Sequence, residues 1–481
     1  MLYVNKELKI GQKSENIYEI YVNGHVEFVD YAVLSVVALI QNGIEKKQLI
    51  CILKRKMPNV DTEQIVNRLL KADILIEEEK KYNWKPLTFG ISCMNKEEIN
   101  AVNEVIFSQR LCRNENMTID SFARLPYSPC CKLERTIAKK VGKKYCLVLN
   151  SGTSALECAF WAIGLKEGDE VICSTFHYIG AAMSMISRGA RPVLCDIDES
   201  IMLDVKKIEE AITPKTKCIM LTHLQGKAAN ISEVKNIARR NNLYLLEDCA
   251  QAFGVEYRGK HVGSFGDVAC FSFHQHKLIT SGEGGAFVTN NKEFYERAKL
   301  YSDVSLQCIN KDNIHIAECH NLRMGEITAS ILFAQMAKIE NMKPILQKMY
   351  CALEEAVKNV PVVKVSHIWD KEGMIPYSIY YILDDTNEAK KFAQYLNGLG
   401  ITAHILLEKN KKSASAYYYW TYILEMNNID INQDYLQSMM ILSRTVSISL
   451  GIDISMETVF SVCSDIKRYF EKSGSYLRQE H

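Results

Sequence analysis

The sequence predicts an α/β protein: a mostly parallel seven-stranded sheet covered by helices, with a smaller α+β domain after it and a small strand-and-helix unit before it. Three observations lead there. Between residues 87 and 345, short apolar runs alternate with helical patterns, as they do when strands buried on both faces are joined through helices. The runs end in polar or glycine-containing motifs, and sheets of this kind bind ligands at the carboxyl ends of their strands. One run, 268–273, delivers a single lysine, Lys277, into a turn that holds Gly282, Gly284 and Gly285. An amine beside a backbone that can approach a ligand closely suits Schiff-base chemistry.

Residues 1–86 form the first unit. Strand-like pieces at 17–22 and 26–29 flank Asn23-Gly24, a hairpin turn pair. Helical patterns follow at 31–41, 45–55 and 61–72, the last opened by Asp61-Thr-Glu-Gln64 in the manner of a capping box, and 74–76 closes the unit as a strand. This order spells a winged-helix-like module. In the large domain, 87–345, strands fall at 145–149, 170–173, 192–196, 218–222, 243–247, 268–273 and 286–289, with helices at 154–164, 179–188 and 233–241 among them. The third part, 346–481, restarts with strands at 377–383 and 401–407 and helices at 388–398 and 456–471; polar 408–414 reads as a mobile loop.

At 481 residues the chain has room for two or three domains. Its net charge of +1 provides no field for nucleic acid or an anionic membrane. The 16 cysteines include no Cys-x-x-Cys pair; Cys146, Cys195, Cys218 and Cys270 fall inside apolar runs and read as small core hydrophobes of a reducing compartment. No clustered ligands of tight spacing suggest a metal. The first 16 residues lack the apolar core of a signal peptide, and no segment has the length of a membrane span, so the expected location is cytoplasmic.

Chemistry collects at the strand ends. Asn150-Ser-Gly-Thr-Ser-Ala-Leu156 opens a helix with Gly152, Thr153 and Ser154, an arrangement that suits a phosphate and that also serves as an ordinary helix cap. Thr175-Phe-His-Tyr178 offers an aromatic that can stack on a planar ring. Leu246-Glu-Asp-Cys-Ala-Gln251 offers Asp248 for a pyridine nitrogen and Gln251 for a ring substituent. In that order, with Lys277, the groups spell pyridoxal 5′-phosphate. With Gly168-Asp-Glu-Val-Ile, Gly263-Ser-Phe-Gly-Asp-Val and Asn321-Leu-Arg-Met324, they give the chain its resemblance to the DegT/DnrJ/EryC1/StrS family, fold-type-I aminotransferases of sugars and cyclitols.

The resemblance implies roles for particular residues. Lys277 forms the Schiff base and shuttles the proton, Asp248 pairs with the pyridinium nitrogen, Gln251 approaches the ring hydroxyl and Tyr178 stacks on the ring. Gly152, Thr153 and Ser272 bind the phosphate. Asn321 reaches the phosphate of the neighbouring subunit, which implies a homodimer with shared active sites. Arg323 reads either as a ligand for an acidic substrate group or as a structural ion pair, and His276 either as a second acid–base group or as a local hydrogen-bonding residue. Lysine at 277 separates the chain from sugar dehydratases of this fold, which carry histidine there, and favours transfer of an amino group from glutamate or glutamine to a carbonyl acceptor. Gln275 and Arg110-Leu-Cys-Arg113 lean toward the inosose branch.

The departures fall around the substrate. Ser174 stands where the family usually has proline, His177 where threonine is common, and Asn230 where an acid is common after His223-Leu-Gln-Gly226; the usual histidine-bearing loop around His404 is missing. The first unit is foreign to a typical member. It resembles the PqqD-like elements that hold leader peptides, which implies a modified peptide as acceptor, docked by strand addition. A winged-helix transcriptional regulator and a plain docking module on a sugar or cyclitol aminotransferase are the competing readings, and nearly balanced charge in the unit argues against DNA.

Overall fold

The computed structural model describes residues 2–4, 9–14, 17–22, 25–30, 33, 46–56, 61–71, 74–77, 81–84, 93–113, 128–308, 318–408 and 411–472. It divides into two compact units, Met1–Asn83 with Gly398–Gly400, and Trp84–Asn397 with Ile401–His481.

In the first unit, Lys9–Ser14, Ile17–Val22 and His25–Asp30 (β2, β3 and β4) form an antiparallel meander, while Leu2–Val4 (β1) pairs with Leu75–Glu77 (β5). Strands β1 and β2 were not among the elements expected from the sequence. Helices Lys46–Lys56 (α1) and Thr62–Lys71 (α2) bury Leu49, Leu53, Val66 and Leu69. Asp61 caps α2 by accepting the Glu63 and Gln64 N–H groups at 3.1 Å each. The expected Asn23-Gly24 turn, and all of the expected helix at 31–41 except Val33, lie outside the described residues.

The second unit opens with helices Lys96–Ser108 (α3) and Pro129–Val141 (α4). Its large sheet then builds through Tyr145–Leu149 (β6), Gly152–Ala162 (α5), Glu170–Ser174 (β7), Ile179–Ile186 (α6), Arg191–Cys195 (β8), Val205–Ala211 (α7), Thr216–Thr222 (β9), Ile231–Arg240 (α8) and Tyr244–Asp248 (β10). A short hairpin, Glu256–Tyr257 (β11) and Lys260–His261 (β12), precedes Val268–Ser272 (β13) and Gly285–Thr289 (β14). The strand order is β6-β14-β13-β10-β9-β7-β8. The sheet is mixed, because β14 runs antiparallel to both β13 and β6. A parallel return needs a crossover, usually helical. Residues 273–284, which carry Lys277, contain only turns and bends, so the chain doubles back and pairs Ser272 with Gly285.

Strands β7 and β14 are buried throughout, and α5 buries Ala155, Leu156, Cys158, Ala159, Phe160 and Ala162. A helix apolar nearly all round is a core helix, and this one carries its N-terminus to the strand ends. Cys146, Cys195, Cys218 and Cys270 are buried and free, as their apolar surroundings require.

Helices Lys292–Ser302 (α9), Glu326–Gln335 (α10) and Ile339–Glu355 (α11) lead to a second sheet. Its strands Val363–Val365 (β15), Ser378–Leu383 (β16), Ala403–Ile405 (β17) and Thr445–Ser449 (β18) are antiparallel in the order β15-β16-β18-β17. Thr386–Gly398 (α12), Thr421–Met426 (α13), Leu436–Ser443 (α14) and Met456–Lys472 (α15) complete the unit. The stretch read as a mobile loop is tied down at its end: Ala414 O accepts the Ile179 N–H at 2.8 Å, Ser415 O accepts the His177 N–H at 3.0 Å, and Thr175 O accepts the Tyr417 N–H at 2.9 Å. No helix among the described residues is long and apolar enough to cross a membrane.

Candidate active site

The strand ends of the large sheet supply the groups. After β6, Ser151 caps α5 by accepting the Ser154 N–H at 3.1 Å, and the Ser154 hydroxyl donates to Asn150 Oδ1 at 2.6 Å. The first N–H groups of α5 have no acceptor within their own helix, and the positive end of the helix faces the site. A β-carbon on Gly152 would fall 2.6 Å from Ser272 Cβ, so glycine lets the start of α5 lie against the end of β13. A β-carbon on Gly180 would fall 3.3 Å from Thr153 Oγ1 and 2.7 Å from Tyr178 Cε1, which makes Thr153 and Tyr178 neighbours across the start of α6. Tyr178 is 55 % exposed.

Two adjacent acids end β10 and differ completely. Glu247, fully buried, accepts the N–H groups of Gly263 (2.7 Å), Phe265 (2.8 Å) and Gly266 (2.6 Å), and it faces His223 Nε2 at 3.2 Å. His223 Nδ1 accepts the Ala229 N–H at 3.0 Å, so its proton sits on Nε2 and is donated to Glu247. Burial alone would push the Glu247 carboxyl up; His223 and the Gly266 and Gly263 N–H groups hold it below its ordinary value. Glu247 is thus the post that fastens 263–266 to the sheet. Cys249 brings a third ligand-type atom within 4.8 Å of these two, but His223 already has both ring nitrogens engaged.

Asp248 points the other way, as alternation along a strand requires. Its Oδ1 accepts the Ala250 N–H at 3.0 Å. Burial pushes its carboxyl up, opposed by that N–H and by the charge of Lys277. The Lys277 amine is pushed down by burial and held up in part by Asp248. The two groups lie within each other's field in a desolvated site, the setting in which ionisable residues acquire function.

Lys277, Ser272 and Gln251 line one cavity together with Gly226 and Tyr377. Gln251 is anchored: its main-chain oxygen accepts Gly226 N–H and Tyr377 O–H, both at 2.9 Å, and its Oε1 accepts Gln225 N–H at 3.2 Å. That leaves its amide nitrogen to offer a ligand. Tyr377 and Gly226 are lining residues the sequence did not mark as site residues: Gly226 ends the His223-Leu-Gln-Gly226 stretch after β9, and Tyr377 immediately precedes β16 of the second sheet. Asn321 and Arg323 stand apart, beside the end of β6. Arg323 Nε donates to Asn321 Oδ1 at 2.9 Å, and its Nη1 lies 3.5 Å from Asp303. His276 is exposed, its ring 5.1 Å from that of His274, and it does not line the cavity.

The donor set fits pyridoxal 5′-phosphate. The Gly152 cradle and the helix N-terminus suit its phosphate, a buried carboxylate suits its ring nitrogen, and the lysine amine suits its aldehyde. An α/β core with these groups on its strand ends defines the pyridoxal-phosphate enzymes of fold type I. Within them, a sequence model of the DegT/DnrJ/EryC1/StrS aminotransferase family matches residues 93–467, and the chain belongs to that family. It is a pyridoxal-phosphate-dependent aminotransferase. GDP-perosamine synthase of Escherichia coli O157:H7 is 36% identical over 261 residues, 54% of this chain and 71% of that relative. L-Glutamine:2-deoxy-scyllo-inosose aminotransferase of Streptoalloteichus tenebrarius is 34% identical over 227 residues, 45% of this chain and 54% of that relative. The crystal structure of 3-amino-5-hydroxybenzoic acid synthase shares the fold at TM-score 0.69 and 23% identity, with 82% of this chain and 100% of that one covered. The family match begins at residue 93, so it lends no support to the winged-helix and peptide-recognition readings of the first unit.

Proposed function

We propose that the protein transfers the amino group of glutamine or glutamate to a keto sugar or keto cyclitol. The observation that carries the chemistry is Lys277 lining one cavity with Ser272 and Gln251, close enough to buried Asp248 for each to act on the other's charge. The names of the relatives support the acceptor class, and one of them supports glutamine as donor. When bound, the cofactor supplies an electron sink beside the carbon that loses or gains the amino group. Asp248 keeps a proton on the ring nitrogen by remaining ionised against it. Lys277, its amine made less basic by burial, takes the proton from the substrate carbon and returns it. Gln251 orients the ring through its amide nitrogen, Tyr178 covers one ring face, and Gly152, Thr153 and Ser272 hold the phosphate.

The active form is a homodimer in which Asn321 serves the site of the neighbouring subunit, with Arg323 holding the Asn321 side chain. On α3, Ile99 is 60% exposed, Ile106 51% and Phe107 85%, a helical face too apolar to be left in water. The large domain, 87–345, carries the cofactor, and 346–481 closes the site from the second sheet. Neither the leader-peptide reading nor the regulator reading is supported by a relative. In the test, the purified yellow protein receives glutamine or glutamate, then a keto nucleotide sugar, a keto cyclitol or a keto-bearing peptide. The expected result is bleaching of the visible band by the donor and its return with a sugar or cyclitol, with aminated product by mass spectrometry. Return of the band with the peptide alone would refute the assignment.

A further inference from the structure

His177 occupies the turn between β7 and α6, immediately before Tyr178. It is 0% exposed, and its ring packs against Trp420 with centroids 4.8 Å apart. Nδ1 lies 2.9 Å from the main-chain oxygen of Tyr178. A carbonyl only accepts, so Nδ1 carries the proton and Nε2 is a bare acceptor. That Nε2 is buried and has no hydrogen-bond partner among the described residues. Burial holds the imidazole at a pKa of about 4, so the ring is neutral in any ordinary buffer. With no exposed atom and no charge to give, His177 is not an acid–base group.

An orphaned buried acceptor is costly, and a phenyl ring would fill the same space without that cost. Nδ1 is the ring atom with a protein partner, the Tyr178 carbonyl. The Tyr178 carbonyl it holds also accepts the Ala181 N–H at 3.1 Å, and Tyr178 starts α6 with no side-chain cap. On the other side of His177 the 175–179 turn is laced to 414–417 by three main-chain hydrogen bonds, and Trp420 Nε1 donates to Ala414 O at 3.3 Å. His177 and Trp420 form the buried hub of that junction.

We infer that His177 is a positioning residue: its Nδ1–H fixes the Tyr178 main chain, and thereby the ring of Tyr178, and couples that ring to the 414–420 segment. The inference rests on the cofactor reading of the site. The groups around His177 are uncharged: Trp420, the Tyr178 carbonyl and the Ser415 main chain.

Three variants separate the roles of the ring. His177→Phe keeps the packing on Trp420 and removes both nitrogens. His177→Asn places an amide nitrogen near the position of Nδ1, and His177→Gln places one near Nε2. We expect His177→Phe to fold with a melting temperature at or above the native one. It should alter the visible circular dichroism of the bound cofactor and slow the donor half-reaction about 10- to 100-fold, the scale of a small misplacement. His177→Asn should recover most of the rate and His177→Gln should not. In a Tyr178→Ala background, adding His177→Phe should change nothing further, because the role runs through Tyr178. A native cofactor signal and native rate in His177→Phe, equal rates for the Asn and Gln variants, or additive losses in the double variant would each overturn the inference alone. Absence of any cofactor band in the native protein would overturn the site reading and this inference with it.

Discussion

Lys277→Ala is expected to lower kcat for the donor half-reaction by about 10³-fold or more while leaving far-ultraviolet circular dichroism unchanged. The lysine contributes no packing that holds the fold. It sits in the turn-only return between β13 and β14, with its main-chain N–H tied to His274 O at 2.9 Å whatever the side chain. What the substitution removes is the base proposed to move the substrate proton. Burial lowers the pKa of this amine and Asp248 only partly restores it, so more of it is unprotonated near neutral pH than of a surface lysine. Among the described residues, no second amine lines the cavity to replace it. Stopped-flow measurement with glutamine checks the expectation, and a small primary amine added to the buffer should restore part of the rate. A variant within about tenfold of the native rate would place the proton transfer on another group.

Lys227→Met is expected to stabilise the protein, and to do so more at pH 6 than at pH 10. Lys227 closes the Leu224–Lys227 turn beside Gly226 of the cavity wall. It is 1% exposed, and its Nζ has no hydrogen-bond partner among the described residues. It lies 4.3 Å from the ring centroid of Tyr380 and 5.4 Å from that of Tyr350, contacts that attract a cation but do not replace its hydration. Burial lowers its pKa to about 7. Between that value and the ordinary lysine value the unfolded chain binds the proton and the folded chain does not, so stability rises with pH through this window and the penalty is greatest below it. At about 1.4 kcal/mol per pH unit, the advantage of the methionine variant should shrink by roughly 4 kcal/mol between pH 7 and pH 10. Urea denaturation of both proteins at pH 6, 7 and 10 measures it. A pH-independent difference would mean that Lys227 is hydrated or paired in solution.

These two lysines mark where the sequence was legible and where it was not. Lys277 stood out because its neighbours on the chain are its neighbours in space: a buried strand before it and a glycine turn after it. The strands themselves were legible for a similar reason, since burial on both faces makes β7 and β14 continuous apolar runs. Lys227 and His177 were opaque because their burial comes from Tyr380 and Trp420, far along the chain. Periodicity carries no strand direction, so the reversal of β14 had to be read from the absence of a helix in 273–284. The polar 408–414 stretch looked mobile because the partner of its last residue, the Ile179 main-chain N–H on Ala414 O, leaves no mark in side-chain pattern. Asn321 and Arg323 matched a motif, but within one chain they sit beside β6 and outside the cavity that Lys277 lines.

Lys277 is the residue proposed to carry the cofactor. Borohydride reduction of the native enzyme, followed by proteolysis and mass spectrometry, shows which lysine holds it. The mass of reduced pyridoxal phosphate is expected on the peptide containing Lys277 and nowhere else. The same mass on the peptide containing Lys227, a buried amine next to Gly226 of the cavity wall, or on no lysine at all, would exclude Lys277 as the carrier.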